Sequence, residues 1–143
     1  NKINMATFNY TSNDVEYNQV GQSYYTVTGD ISEGDIGNDH NVATDGLTIG
    51  IPKITSGNLG CTIFFRNSGA ATNNKLTISP DDSNKIIGSV TLAGSVVVSG
   101  GVLGKDWENT KATSIQGDWC AIRAVSLTEW YIVGCQGIWA SES

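Results

Sequence analysis

Gly60-Cys61-Thr62-Ile63-Phe64-Phe65-Arg66-Asn67-Ser68-Gly69 is the stretch that decides the fold class. Cys61, Ile63 and Phe65 share one face, while Thr62, Phe64 and Arg66 share the other. Side chains alternate across a strand, so a period of two reads as a strand with one side on a core. Asn67-Ser68-Gly69 then supplies turn chemistry. The same pattern recurs outward from here. Tyr24-Tyr25-Thr26-Val27-Thr28 is aromatic and β-branched, and Leu47-Thr48-Ile49-Gly50-Ile51 alternates before Pro52. Leu76 and Ile78 alternate with Lys75, Thr77 and Ser79. Further strand-like runs cover residues 89–92, 95–98, 119–125 and 130–133. Pro80-Asp81-Asp82-Ser83-Asn84, Ala93-Gly94 and Ser99-Gly100-Gly101 break them apart. No sustained helical period appears. Many short strands with Gly-rich turns predict an all-β, antiparallel sandwich, jelly-roll-like, as a single domain. Residues 46–143 form that sandwich in this reading. Residues 1–45 are a more polar N-terminal arm or connecting strands.

The chain has 143 residues and a formal net charge of −6, from 8 Lys+Arg against 14 Asp+Glu. It lacks the basic footprint that phosphate backbones require, which excludes nucleic acid as the expected partner. Charged residues make up only 15%, and Asn, Ser, Thr and Gly take their place. Such uncharged hydrogen-bonding surfaces are common in extracellular and virion β-proteins. No apolar window approaches the roughly 20 residues of a membrane helix.

Few residues suggest chemistry. Cys61, Cys120 and Cys135 match no zinc spacing and read as buried thiols. A hairpin of residues 119–125 and 129–135, with Leu127-Thr128 at its tip, would nevertheless set Cys120 opposite Cys135. His40, the only histidine, lies in Asn38-Asp39-His40-Asn41 and reads as an exposed loop residue. Within the acidic stretch 29–46, Asp30, Asp35 and Asp39 are weak calcium candidates, because oxygen ligands in a Gly-rich loop can hold that ion. No cofactor is expected. Trp107, between Asp106 and Glu108, is the glycan candidate. A partly exposed indole covers the apolar face of a sugar while neighbouring polar groups take its hydroxyls. Trp119, Trp130, Tyr131 and Trp139 are expected to be framework or interface residues. Trp130 and Tyr131 must point to opposite faces of one strand.

From Leu47 onward the order of these pieces resembles a known pattern. Gly60 to Gly69 is followed by Leu76-Thr77-Ile78-Ser79-Pro80-Asp81-Asp82 and Ile86-Ile87-Gly88. Gly117-Asp118-Trp119-Cys120-Ala121-Ile122-Arg123 and Trp130-Tyr131-Ile132-Val133-Gly134 close the chain. This order is similar to the small β-rich modules at the C-terminal ends of bacteriophage tail spikes and tail fibres. The resemblance covers about two-thirds of the chain. It implies a homotrimer on the virion surface, made in the host cytoplasm and joined to other virion proteins. Folding in a reducing compartment argues against a Cys120–Cys135 bridge.

The expected function is therefore a non-enzymatic virion surface module, serving host-glycan binding or fibre trimerisation. The alternatives are a capsid decoration or cement protein, and a carbohydrate-binding module of a larger secreted protein.

Overall fold

A computed structural model describes residues 24–26, 29–92 and 94–142. Among the described residues the chain forms eleven strands and no α-helix. They are β1 (Tyr24–Thr26), β2 (Asp39–Val42), β3 (Leu47–Gly50), β4 (Thr62–Asn67), β5 (Leu76–Ser79) and β6 (Lys85–Leu92). After these come β7 (Ser95–Gly100), β8 (Trp107–Asn109), β9 (Trp119–Ser126), β10 (Glu129–Gln136) and β11 (Trp139–Ser141). A seven-stranded sheet, ordered β1-β2-β4-β9-β10-β6-β7, packs on a four-stranded sheet ordered β11-β8-β5-β3. The all-β sandwich read from the strand pattern is the fold that forms.

Pairing within the sheets is mixed, which corrects the expectation of an antiparallel sandwich. From β2 to β6 the chain alternates between the two layers strand by strand. Each return to a layer follows a crossover, so the returning strand runs parallel to the one that left. That makes β2–β4 and β3–β5 parallel. β6–β7 and β9–β10 are antiparallel neighbours. β2 pairs with both β1 and β4. β1 and β2 thus lie N-terminally of residue 46, in the segment expected to be an arm or connecting strands. The rest of that arm, residues 1–23, lies outside the described residues.

The β9–β10 hairpin turns at Leu127-Thr128, with Ser126 opposite Glu129. Neither tip residue has a positive φ. The turn thus lacks the primed geometry whose twist matches the strands. A bulge follows at once: Trp130 pairs with Ala124, leaving Val125 as the extra residue. A second bulge at Val133, on the other strand, restores the original register. Cys135 then lies directly opposite Cys120.

The core lies between the layers. Ile63, Phe65, Ile122, Ala124, Trp130, Ile86 and Val90 project inward from the large sheet. Ile49, Leu76, Ile78, Trp107 and Trp139 meet them from the small one. Gly88 (φ +147°) lets the adjacent strand carry Ile132 close by, since a Cβ there would sit 2.7 Å from the Ile132 Cβ.

Candidate functional site

Strand parity decides the fate of the expected glycan site. Trp107 pairs with Ile78 across β8–β5, and like Ile78 it points inward. Its side chain is 0% exposed and stacks on Trp139, with ring centroids 6.2 Å apart. An indole enclosed this way offers no face to a sugar, which corrects the expectation of exposure. Glu108 points the other way and pairs with Lys75 at 3.4 Å. The Asp106 backbone oxygen accepts from Glu142 N–H. The three adjacent residues do not converge on one point. The misleading signal was Gly104-Lys105-Asp106, which reads as a turn. A strand of three residues is too short for its period to announce itself.

The other aromatic candidates divide between the two faces. Trp130 and Trp139 are fully buried in the core, whereas Tyr131 is 44% exposed. The opposite orientation of Trp130 and Tyr131 is thus observed. Trp119 is half-buried on the outer face of the large sheet. It stacks on Phe64 (centroids 4.9 Å) and donates its indole N–H to Gln136 Oε1 at 2.9 Å. Arg66 caps the stack, its guanidinium carbon 5.0 Å from the Phe64 ring centre. Beside this corner, Gly134 makes room for the indole: a Cβ there would lie 2.8 Å from the Trp119 ring.

The same outer face continues into an apolar stripe. Register places Tyr131 beside Ile87 on β6, and Val98 opposite Ser89 on β6–β7. Val96 (57% exposed), Val98 (60%) and Val133 (55%) stand out from it. Among the described residues β7 forms a ladder with β6 alone, so it is an edge of the large sheet, with β11 of the small sheet packed near it. Ser95-Val96-Val97-Val98-Ser99-Gly100 contains no charge and no proline. Those are the devices that normally keep an edge from pairing with another chain.

The acidic stretch is dispersed. Asp30 accepts from Gly50 N, Asp35 accepts from Ser32 N and Oγ, and Asp39 faces Arg66 at 3.7 Å. The three calcium candidates thus serve three different partners. Among the described residues no group of three or more His, Cys, Asp or Glu side chains is placed to hold a metal.

His40 is another correction. It lies on β2 rather than in a loop, and it is fully buried against Phe65. Its Nδ1 lies 3.2 Å from Phe64 O. Burial disfavours the imidazolium and holds its pKa below the ordinary value. The Phe64 carbonyl and the charges of Asp35 and Asp39 only partly oppose this. The unfolded chain therefore binds a proton more readily than the folded one. The stability from a neutral His40 is complete above about pH 6.5 and is lost as pH falls through the lower folded pKa. Unfolding free energies between pH 5 and 8 should fall toward acid, with a shallower slope in His40→Gln. Equal slopes in both proteins would rule out His40 as the source.

A buried amide cluster joins the layers at one end, and sequence reading missed it. Asn67 Nδ2 donates to Asn109 Oδ1 at 2.6 Å, and Asn74 Nδ2 donates to Asn67 Oδ1 at 2.6 Å. Asn109 Nδ2 in turn donates to Asp118 Oδ2 at 3.0 Å. Gly69 and Gly137 cover it closely, since a Cβ on either would fall 2.3 Å from Asn74 or Asp118. Each member sits in a turn or at a strand end, where Asn and Asp are ordinary. Nothing local marks them as buried.

No protein-family model matches this chain. No curated protein matches it either.

Proposed function

We propose that this chain is a non-enzymatic surface module of a virion tail fibre or spike, assembling as a homotrimer through its β7 edge and the apolar stripe beside it. The observation carrying this reading is the uncharged β7 edge, with Val96 and Val98 exposed beside Val133 and Tyr131. Contiguous exposed apolar surface of this kind marks an association site. A second copy is the favoured occupant because the chain carries a net charge of −6. Like-charged copies approach at least electrostatic cost where each presents a neutral face. Closed symmetry then covers each edge with its neighbour. The order of the sequence pieces, similar to tail spike and fibre modules, supports the same reading.

Light scattering at two concentrations tests it. A stable mass near three times 15.1 kDa is expected. Val98→Asp combined with Val133→Asp should give a folded monomer, because both side chains are exposed and a charge there only repels a partner. A wild-type monomer, or an unaltered trimer in the double variant, overturns the proposal.

Host-glycan contact is a second reading, favoured by the Arg66–Phe64–Trp119–Gln136 corner. Aromatic surface there adjoins a guanidinium and an amide. Trp119→Ala should abolish retention on immobilised host surface polysaccharide without changing the oligomeric mass. Undiminished retention would sink the glycan role of this corner.

A further inference from the structure

Cys120 and Cys135 are brought together by two bulges that cancel one another, at Val125 and Val133. Directly opposed residues of an antiparallel pair have Cα atoms about 4.5–5.5 Å apart. A disulfide needs roughly 4.4–6.8 Å. Because both residues project from the same face, their sulfurs meet: Cys135 Sγ lies 2.7 Å from Cys120 Sγ. Both thiols are free in this structure. Cys61 is not part of the pair. Its backbone oxygen accepts from Ala124 N, while Cys120 pairs with Phe65, four residues further along the chain.

We propose that Cys120 and Cys135 form an oxidative cross-linking site, closed by thiol–disulfide exchange with a small-molecule disulfide such as oxidised glutathione. Their environments assign the order of events. Cys120 is buried in the core, and desolvation holds it as a thiol. Cys135 is half-buried and is the one an outside reagent can reach. The Cys135 thiolate attacks one sulfur of the reagent, forming a mixed disulfide and expelling one glutathione thiolate. The Cys120 sulfur then attacks Cys135 Sγ, breaks the mixed disulfide and expels the second glutathione thiolate. The two thiol protons end on the two departing thiolates. The protein pair is oxidised by two electrons and the glutathione disulfide is reduced by two.

The bond would tie β9 to β10 across the hairpin that carries Tyr131 and Val133. It does not depend on the trimer reading.

The test uses the whole chain, first reduced, then held with oxidised glutathione, then unfolded and alkylated. One of the three cysteines should take up label, and peptide mass mapping should join Cys120 to Cys135. Cys61→Ser should leave that link intact, and the oxidised wild type should melt at a higher temperature than the reduced one. Three labelled cysteines after prolonged exposure would overturn the proposal. So would a lasting glutathione adduct on Cys135, or a link through Cys61. Because these readouts use the wild-type chain, the result does not hinge on whether a Cys135→Ser variant folds.

Discussion

Trp107→Ala should lower the unfolding free energy by about 3–5 kcal/mol, the range for deleting a large aromatic from a packed core. The side chain has no exposed surface and lies flat against Trp139 between the sheets. Its removal takes away a large apolar surface and leaves a cavity that Trp139 and Ile78 cannot fill without moving. Urea unfolding should show a midpoint shifted well down at an unchanged slope. Tyr131→Ala is the matched control, because that ring already faces water and its loss should change a folded monomer by about 0.5 kcal/mol or less. A loop tryptophan waiting for a sugar would behave in the opposite way, with normal stability and lost binding. A Trp107→Ala protein of wild-type midpoint would show that the indole is not in the core.

Asn67→Ala is expected to be nearly as damaging, for a different reason. The Asn67 amide donates to Asn74 O and Asn109 Oδ1, and accepts from Gly69 N and Asn74 Nδ2. An alanine removes very little apolar burial but strands several groups that have no route to water. A buried group left without its partner costs about 1–3 kcal/mol. With more than one affected, a loss of about 3 kcal/mol is expected in the same unfolding experiment. Asn67→Asp should be no better at neutral pH. It loses the Nδ2 donor and points a carboxylate at Asn109 Oδ1, with Asp118 already buried beyond it. A variant of wild-type stability would mean that water reaches this end of the sandwich.

Strand faces were legible wherever a strand was long enough to show its period. Ile63 and Phe65 went inward, and Trp130 and Tyr131 split between core and surface, as alternation requires. The opposition of Cys120 and Cys135 was also readable, but for a simpler reason than the real one. Counting back from Leu127-Thr128 assumes an unbroken ladder, whereas the chain makes two bulges that cancel. One bulge alone would have moved Cys135 out of register and made the count misleading.

The readings that failed lie on short elements. Trp107 occupies a strand of three residues and His40 one of four. Over such lengths, flanking Gly, Asp and Asn outweigh any alternation, and a turn is the natural reading. The Phe64–Trp119 corner was missed because its parts come from strands far apart in the chain. The amide cluster draws on four separate places, from Asn67 to Asp118.

By itself, then, the sequence determined that the chain is all-β, that it is layered, and which side chains of its longer strands share a face. These are local consequences of side-chain alternation and of turn residues. Only the tertiary structure decided which strands became neighbours and whether they run parallel. It alone placed Trp107 inside, His40 in the interior beside Phe65, and the uncharged β7 at an edge. Pairing and burial are contacts between distant segments, chosen by the packing of two whole sheets. No window of the sequence contains both partners of such a contact.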